Sequence, residues 1–537
     1  MSSMIVAPNP AGVEEGAKVL KQGGNAIDAA LTCAFVQGIV NPQMCGIGGY
    51  ALLTIHVPGQ KAGESLILDA PALAGSKVRA DMWQDRVIGP NPDGWGYFLK
   101  DKVNDVGYTS ICTPGTVKGF AAMLERWGTR SWSDILQPAI KIAEEGFVVD
   151  PTLSAGWRAP RRFPESATLL DYILANPEAR RIYLKADGTP YNDGDIIRNP
   201  DFGQTLRRLA ANGPEDFYRG ELAEEMARDL AANGSFVTAE DFAYYRFRDV
   251  KPVIGSYRDY TIVTVNAPHG GPTMLEILNI LEGYDLSKME HNGPEYLYLL
   301  AMAMKAGFAD RNPYMADPDF NQVPVDWMIS KERAAIWRER INKGEPIEVS
   351  FTPTEPPHTT QVTVVDKDGM CVSLTHSLGM SSGVITPGLG FMYNNSMINF
   401  HPYPGHMNSF EPGKGRTTGM APTIVYKGDK PVLVLGAPGA TRILTSVLQV
   451  IVNVLDFGMS VSDAVLAPRI DSQGAAIRAQ ARIPEYVCAE VRKRHPIVRM
   501  PQSHGGLGLV HAITIDEQTG ELRGAADTGA GGMALKV

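Results

Sequence analysis

The amino-acid sequence predicts a large α+β protein, and three observations indicate this fold class. Apolar residues recur at helical spacing over residues 10–40. Helical patterns alternate with short strand patterns in the middle of the chain, and a strand–turn–strand pattern covers residues 359–377. With 537 residues, of which 44% are hydrophobic, the chain is long enough to bury a core of several layers.

The charge balance argues against a nucleic-acid partner. The chain carries 50 Lys and Arg against 59 Asp and Glu, which gives a formal net charge of −9. A protein that binds a phosphate backbone needs clustered basic side chains, and the sequence shows no such cluster. We therefore expect small molecules or other proteins as partners.

Cysteine usage and the first residues predict a cytoplasmic protein without a membrane segment. The five cysteines are scattered, without a CxxC pair or metal-ligand spacing, which argues against a disulfide framework and a structural zinc site. The N-terminus lacks the basic start and long apolar core of a signal peptide. The most apolar stretch, residues 26–40, contains Asp28 and is shorter than the roughly 20 residues of a membrane-spanning helix.

Two helices followed by a strand are predicted at the start of the chain. An amphipathic helix begins at Pro10 and ends at the Gly23-Gly24 pair, and Asn25 caps a second, more apolar helix. The glycine-rich run 45–50 precedes a strand at 51–55. Because a dinucleotide-binding loop joins a strand to a following helix, these glycines are interpreted instead as positions of close backbone packing.

A helix-rich layer is predicted for residues 113–343, and it ends at a proline-rich linker. Helical patterns at 206–212 and 221–233 alternate with strand patterns such as 260–265. Residues 344–358 contain four prolines, which is typical of a surface segment. We therefore place a boundary at this linker.

Residues 359–377 are predicted to form a β-hairpin whose register follows from its turn. Lys367, Asp368 and Gly369 make a three-residue loop with the glycine in the left-handed position. This loop places valine and leucine side chains on one face of the hairpin and polar side chains on the other. The polar face pairs Thr363 with Ser373, Gln361 with Thr375, and Thr359 with Ser377.

Two interpretations of this polar face are open from the residues alone. Threonine and serine are good strand residues, so their ladder can be an ordinary sheet face. A proline-rich linker that runs directly into a strand beginning with threonine is also what a self-cleaving precursor would show. The α-amino group of a terminal Thr359, with a reference pKa of about 7.7–8.0, can then accept the proton of its own hydroxyl.

Six ordered sequence blocks resemble the γ-glutamyltransferase family. The first residues of the hairpin, TTQVTVVDKDG from Thr359, are similar to the segment that opens the small subunit in that family. The other blocks span nearly the whole chain: GGNAIDAA at 23–30, CGIGG at 45–49, TPGTVKGF at 113–120, MAPTIV at 420–425 and GAPGATR at 436–442. The chain is therefore identified by resemblance as a member of this family, in a branch with an altered substrate pocket.

The resemblance implies an N-terminal nucleophile hydrolase with a four-layer αββα core, made as one precursor that cuts itself. The cut would fall between His358 and Thr359, giving a large subunit of residues 1–358 and a small subunit of residues 359–537 that stay together as a heterodimer. Thr359 would attack first its own preceding peptide bond and then the amide carbonyl of a substrate, forming an acyl-enzyme. No cofactor, metal, nucleic acid or membrane is implied.

The resemblance also implies catalytic roles for three further residues. Ser377 stands where the family has a threonine that hydrogen-bonds the nucleophile. Gly439 and Ala440 match the glycine pair whose backbone N–H groups form the oxyanion hole. They lie in a predicted strand–loop–helix unit, 432–457, at the start of the helix, where N–H groups and the helix dipole favour negative charge.

The substrate-binding positions depart from the family pattern. Pro71 stands in place of the arginine that binds the α-carboxylate of a γ-glutamyl substrate. Asn399 replaces the acidic residue that binds the α-amino group, and Gly379 replaces an asparagine partner. The remaining expected substrate contacts are Asn395, Thr418 and Gly419, of which the last two stand for a serine pair and keep one hydroxyl.

We therefore expect that the catalytic residues are kept while the substrate pocket is changed. The expected activity is hydrolysis of a small-molecule amide whose acyl group is smaller than glutamate or differently charged, as in amidohydrolases of oxamate or in acylases. Two alternatives are a true γ-glutamyl hydrolase or transferase for glutathione-like substrates, and an unprocessed scaffold without activity. Arg79 or Arg442 is a candidate for a displaced cation, whereas His269 and His504 are interpreted as loop histidines.

Overall fold

The structure is built around two large β-sheets that pack face to face between layers of helices. This computed structural model describes residues 2–92, 96–352 and 359–537. The first sheet has seven strands, in the spatial order Met533–Lys536, Met4–Ala7, Thr360–Val365, Cys371–Ser377, Tyr50–His56, Leu66–Ala70 and Arg248–Val250. The second sheet has six, in the order Leu522–Ala526, His511–Ile515, Lys430–Gly436, Thr423–Lys427, Tyr260–Thr264 and Val253–Tyr257.

Both sheets combine strands from before and after the proline-rich linker. In the first sheet, Thr360–Val365 pairs with Met4–Ala7, and Cys371–Ser377 pairs with Tyr50–His56. In the second sheet, Thr423–Lys427 pairs with Tyr260–Thr264. All three pairs are antiparallel. Backbone hydrogen bonds therefore join the two parts of the chain across both sheets.

Helices cover the outer face of each sheet. Those associated with the first sheet are Pro10–Lys21, Ala26–Val40, Thr116–Trp127, Trp132–Glu145, Pro151–Trp157, Leu169–Leu174, Pro177–Tyr183, Pro200–Asn212, Asp216–Arg219, Glu221–Ala232 and Ala239–Ala243. Those associated with the second sheet are Gly271–Leu281, Pro294–Tyr314, Val325–Met328, Lys331–Asn342, Arg442–Leu455, Val461–Leu466 and Glu485–Arg492. The predicted four-layer α+β sandwich is confirmed.

Apolar side chains on both faces of each sheet explain this layering. Val364 and Leu374 of the first sheet belong to the core that lies under the first helical layer. Leu433 of the second sheet belongs to the core under the other helical layer. A smaller cluster that includes Val6 and Ile424 lies between the sheets. Since burial of apolar area stabilises at about 25 cal/mol per Å², the central strands are favoured only when both faces are covered.

The polar face of the predicted hairpin lies between the two sheets, and its register is confirmed. Val362 pairs with Leu374 and Thr363 pairs with Ser373, and Gly369 in the turn has a φ of +92°. The Ser373 hydroxyl donates to the carbonyl oxygen of Leu435 in the second sheet at 2.8 Å. We call this contact region, formed by Gln361, Thr363, Ser373 and Thr375 against the second sheet, the inter-sheet seam.

The other predicted elements agree with the structure apart from their ends. Asn25 caps the second helix by accepting a hydrogen bond from the Asp28 N–H at 3.1 Å. The helix predicted at 206–212 begins earlier, as Pro200–Asn212, because the Asn199 side chain accepts from the Phe202 N–H and caps it.

The remaining small sheets contain Val87–Pro90 with Tyr97–Leu99, Phe147–Val148 with Ile196–Ile197, and Ile470–Asp471 with Ile477–Ala479 and Ile497–Arg499.

Within the described part of the chain, no helix is both long enough and apolar enough to cross a membrane. The five cysteines are all buried, and each is a free thiol.

Gly49 provides a test of the predicted close packing at the glycine-rich run. A β-carbon at Gly49 would collide with the carbonyl oxygen of Ser377. We expect Gly49→Ala to lower the free energy of unfolding by about 2 kcal/mol or more, because a backbone oxygen cannot move aside cheaply. Chemical denaturation measures this loss. Gly63→Ala is the control, since Gly63 is exposed with open space around it; equal losses in the two variants would contradict the packing interpretation.

Candidate active site

Thr359 and Ser377 meet at the open end of the hairpin, as the register predicts. The Thr359 hydroxyl donates to Ser377 Oγ at 3.1 Å, and both side chains are buried. The Gly379 N–H also donates to Ser377 Oγ, at 2.9 Å. The Ser377 oxygen therefore accepts two hydrogen bonds that fix its position beside Thr359. His358, on the other side of the predicted cut, lies outside the described residues.

The loop that contains Gly439 and Ala440 joins strand Lys430–Gly436 to helix Arg442–Leu455. This strand faces the hairpin across the inter-sheet seam, and a β-carbon at Gly436 would lie 2.5 Å from the Gln361 amide. Gln361 is two residues from Thr359 on the same face of its strand. The loop and Thr359 are therefore at the same end of the sandwich.

Ala440 has an unusual backbone conformation for a residue with a side chain. Its φ is +61°, and that of Gly439 is +138°. The first value lies in the left-handed region, where an L-residue other than glycine pays about 1–2 kcal/mol. The resemblance predicts a glycine pair here, and Ala440 adopts a backbone conformation that favours glycine.

Gly419 lies directly against this loop, and Thr418 precedes it in the chain. A β-carbon at Gly419 would collide with the carbonyl oxygen of Ala440. The Thr418 hydroxyl is 2.9 Å from His269 Nδ1, and His269 Nε2 is 3.1 Å from a carboxylate oxygen of Asp69. His269 lies in a loop, as predicted, but its ring is buried and contacts Thr418, a predicted substrate-binding residue.

Arg416 is a buried cation in the same segment, and the sequence analysis missed it. It is only 4% exposed, and its guanidinium carbon lies 4.1 Å from the centre of the Tyr50 ring. Its Nη1 donates to the carbonyl oxygen of Thr417 at 3.4 Å. Burial lowers the pKa of Arg416 to about 9, because desolvation disfavours the charged guanidinium. At neutral pH the side chain is still charged.

The two arginines proposed from the sequence have different surroundings. Arg79 is exposed and pairs with Asp81 at 3.2 Å on the surface, so it is not a cation of this site. Arg442 is the first residue of helix Arg442–Leu455 and donates to the carbonyl oxygen of Gly506 at 2.9 Å. Pro71, at the position of the family arginine, offers its carbonyl oxygen to the Tyr245 hydroxyl at 2.7 Å.

The two predicted asparagines differ in their environments. Asn395 is held in place, because its Oδ1 accepts from the Met380 N–H and its Nδ2 donates to Asp105 Oδ1, both at 2.9 Å. Asn399 is buried, and its Nδ2 has no hydrogen-bond partner among the described residues. The Asn399 amide is thus a donor available to a ligand at this position.

Asp105 connects Asn395 to a cavity of about 260 Å³. Its Oδ1 also accepts from the Tyr172 hydroxyl at 2.7 Å. Desolvation raises the pKa of the Asp105 carboxyl to about 6, although both hydrogen bonds oppose the rise. The cavity is lined largely by apolar and aromatic side chains, with Met380 and Ile398 next to the predicted substrate positions.

A second, wider cleft of about 1060 Å³ reaches the Gly439–Ala440 loop from outside. Its lining includes Thr441 and Arg442 from the loop end and Thr352, the last described residue before the predicted cut. This cleft therefore borders both the end of the Gly439–Ala440 loop and the segment that ends at Thr352.

Comparison with known proteins gives matches over nearly the whole chain. A family model described as Gamma-glutamyltranspeptidase matches residues 12–537. The Acylase ACY 1 proenzyme of a Pseudomonas species is 36% identical over 552 residues, covering 99% of this chain and 93% of that relative. The Glutathione hydrolase proenzyme of Escherichia coli is 33% identical over 489 residues, with 88% and 81% covered.

The fold is also similar to that of solved structures. The crystal structure of cephalosporin acylase from Bacillus halodurans matches with a TM-score of 0.86 and 27% sequence identity. The match covers 99% of this chain and 95% of that one. The layered architecture described above is therefore shared over the full length of both proteins.

Ala440 offers a direct test of the strained loop. We expect Ala440→Gly to raise the free energy of unfolding by about 1 kcal/mol, because glycine adopts the left-handed conformation without steric cost. Ala475→Gly is the matched control, since Ala475 is exposed and is not among the positive-φ residues; there the added chain entropy should destabilise slightly. A similar loss of stability in both variants would contradict the backbone strain assigned to Ala440.

Asp105 predicts a pH dependence of stability. The pKa in the folded protein, about 6, lies above the ordinary 3.8, so the native state binds the proton more tightly and its stability falls as the pH rises from about 4 through 6. Asp105→Asn removes this dependence while its amide oxygen still accepts both hydrogen bonds. Thermal unfolding between pH 4 and 7.5 should show the variant gaining up to about 3 kcal/mol relative to the wild type. A difference in unfolding free energy between Asp105→Asn and the wild type that does not vary with pH would contradict the raised pKa of Asp105.

Proposed function

Because the chain belongs to the gamma-glutamyltranspeptidase family of N-terminal nucleophile hydrolases, we propose that it is a self-processing threonine amide hydrolase that acts on a small-molecule amide. The acyl group of this substrate differs from a γ-glutamyl group. The observation that carries the proposal is the buried hydrogen bond between Thr359 and Ser377 at the head of the hairpin, at the same end of the sandwich as the Gly439–Ala440 loop.

Self-processing begins with Thr359 as the nucleophile. Its Oγ1 attacks the carbonyl carbon of residue 358, the peptide C–N bond breaks, and the acyl group passes from nitrogen to oxygen. Water then hydrolyses this ester and releases the carboxyl group of residue 358. The products are residues 1–358 and 359–537, the second with a free α-amino group on Thr359. The proenzyme names of the similar acylase and glutathione hydrolase support such a step.

The freed amino group supplies the base for substrate turnover. With a reference pKa of about 7.7–8.0, it accepts the Thr359 hydroxyl proton as Oγ1 attacks the substrate amide. The Ser377 hydroxyl holds Thr359 in position, and the N–H groups of Gly439 and Ala440 stabilise the oxyanion. The proton passes to the leaving amine, and water hydrolyses the acyl-enzyme.

The substrate class follows from the side chains around the nucleophile. Asn399 is neutral, Gly379 has no side chain, and Pro71 uses its carbonyl oxygen on Tyr245. A γ-glutamyl head group would lose the charge-assisted bonds to its ammonium group, each worth about 1.5–3 kcal/mol. An acyl group without an ammonium group fits these residues better, and similarity to acylases supports this choice.

The second candidate is a γ-glutamyl hydrolase or transferase. Its support is the 33% identity with a glutathione hydrolase and the presence of a buried cation, Arg416, in the Thr418 segment. Turnover of a γ-glutamyl anilide at a rate comparable to that of acyl anilides would favour this candidate over the first.

The proposed nucleophile is tested by intact mass and N-terminal sequencing. The wild-type protein should give fragments of 358 and 537 − 358 = 179 residues, the smaller starting at Thr359. Thr359→Ala should remain one chain and form no acyl-enzyme, because it lacks the attacking oxygen. Thr359→Ser should still be cut, since it keeps a hydroxyl, but more slowly than the wild type.

The control for this experiment is Thr360→Ala, one residue along the strand. The Thr360 hydroxyl is buried but forms no hydrogen bond within the described residues, so this variant should be cut at Thr359 like the wild type. A wild-type protein that stays intact after prolonged incubation would contradict the proposal and favour a scaffold without activity. A cut at another residue would contradict the assignment of Thr359.

A further inference from the structure

The cavity of about 260 Å³ adjoins the turn that follows Ser377. Met380 lines the cavity three residues after Ser377, and the N–H of the intervening Gly379 donates to Ser377 Oγ at 2.9 Å. Ile398 lines it from the segment that carries Asn399. The cavity therefore lies beside the residues that hold the proposed nucleophile.

Asn395 connects this turn to the cavity wall. Its Oδ1 accepts from the Met380 N–H, and its Nδ2 donates to Asp105 Oδ1, both at 2.9 Å. A β-carbon at Gly379 would collide with the same Asn395 oxygen, so the turn and the amide are in close contact. Because Asp105 lines the cavity, a single side chain separates it from the turn that holds Ser377.

The walls of the cavity are mainly apolar and aromatic. Most of them come from residues 97–105 and 156–172, and the rings of Phe98 and Phe163 lie 6.0 Å apart between their centres. An apolar cavity of about 150 Å³ is large enough to bind benzene, so this one can hold a substituted aromatic ring. The lining also includes charged side chains that are at least partly exposed, which makes the cavity accessible from solvent: Lys102, Arg162 and Glu165.

Asp105 supplies a hydrogen-bond acceptor to this apolar space. Its Oδ1 accepts from the Tyr172 hydroxyl at 2.7 Å as well as from Asn395. Its Oδ2 accepts no hydrogen bond from the part of the chain that the structure describes. A carboxylate oxygen has lone pairs for a further donor, and in apolar surroundings such a bond is stronger than in water. An aromatic ligand with an O–H group is therefore favoured over one without.

We propose that this cavity binds an aromatic acyl group that carries a hydrogen-bond donor, and that Asp105 Oδ2 accepts from this donor. The substrates are then amides of short arylalkanoic acids with a hydroxyl group on the ring. This inference rests on the proposed function and specifies its substrate class. The acyl side of the substrate is favoured because the cavity wall continues into Gly379 and Asn399, which stand at the expected acyl-binding positions.

Two contacts determine the expected preference. Transfer of a phenyl ring from water into an apolar cavity should raise kcat/KM by about 10- to 100-fold relative to an acetyl group. A hydrogen bond to the ionised Asp105 should add a factor of about 5 to 10 for a ring with a hydroxyl group. Both contacts orient the acyl carbonyl for attack by Thr359, and so they appear in kcat/KM.

The test uses 4-nitroanilides with the processed wild-type enzyme at pH 8, above the Asp105 pKa of about 6. The leaving amine is constant while the acyl group changes from acetyl to phenylacetyl, 4-hydroxyphenylacetyl and 4-methoxyphenylacetyl. We expect the phenylacetyl amide to exceed the acetyl amide by about 10- to 100-fold in kcat/KM. The 4-hydroxyphenylacetyl amide should exceed both other aryl amides, since a methoxy group donates no hydrogen bond.

Asp105→Asn separates the hydrogen bond from the apolar contact. The variant keeps an oxygen for Tyr172 and Asn395 but has an NH₂ group in place of Oδ2. The ratio of kcat/KM for 4-hydroxyphenylacetyl over phenylacetyl should therefore fall towards one, while the ratio for phenylacetyl over acetyl stays high. Asp101→Asn is the matched control, because Asp101 is exposed, pairs with Arg86 at 3.4 Å and is not part of the lining. Neither ratio should change in this control.

Ala167→Leu tests the cavity itself. Ala167 lines the cavity, and the larger side chain reduces its space, so the ratio for phenylacetyl over acetyl should fall several-fold. Ala175→Leu is the control, since Ala175 is exposed at the end of helix Leu169–Leu174 and is not part of the lining. If Ala167→Leu does not fold or is not cut, the wild-type ratios and Asp105→Asn decide the result.

The outcomes separate this inference from the proposed function. A wild-type enzyme that is cut at Thr359 but shows no preference for aryl acyl groups, or hydrolyses none of the four amides, overturns the inference alone. A preference for an aromatic group that arises only when acetyl amides of methylamine and benzylamine are compared overturns the acyl side. A hydroxyl preference that persists unchanged in Asp105→Asn overturns the role of Asp105. A chain that is never cut and forms no acyl-enzyme overturns the proposed function itself.

Discussion

The hydrogen bonds of the inter-sheet seam are the interaction on which the rest of the structure depends. Besides apolar contacts, hydroxyl groups of the hairpin donate to backbone oxygens of the second sheet, as Ser373 does to Leu435 and Thr363 to His511. Buried polar groups are costly unless each finds a partner. Gln361 meets this condition by donating to Ser373 and accepting from Thr375. The register of the two sheets is thereby fixed at the end where Thr359 lies.

The same sheets explain how a cut chain can stay together. The hairpin lies between Met4–Ala7 and Tyr50–His56, so each of its strands is hydrogen-bonded to a strand from before the linker. The C-terminal strand Met533–Lys536 adds a further pair with Met4–Ala7. Hydrolysis of one peptide bond before Thr359 breaks none of these ladders. The cost of separating the two parts would be the exposure of both sheets and of the cores beneath them.

The sequence was informative where local rules decide the structure and silent where distant segments meet. Turn chemistry at Gly369 was sufficient for the hairpin register and hence for the contact of Thr359 with Ser377. Asp105 carries no local signal, because its partner Asn395 is 290 residues away. Arg416 was missed, and the contact of His269 with Thr418 was not predicted, for the same reason: only the fold brings Arg416 near Tyr50 and His269 near Thr418. Arg79 was a plausible cation in sequence but lies on the surface.

Catalysis and recognition are supported by different parts of the molecule. The groups around Thr359 are held by strand pairing and by backbone atoms, such as the Gly379 N–H on Ser377 and the tight packing of Gly419 on the Ala440 loop. Any residue that preserves the backbone path supports these contacts, as Ala440 does in a left-handed conformation. The predicted substrate-binding positions Asn399 and Thr418, by contrast, lie outside the seam, so a substitution there leaves the seam contacts of Ser373 and Thr363 in place. The segments that carry Pro71, Asn399 and Thr418 can therefore diverge in sequence while strand pairing keeps Thr359 in contact with Ser377.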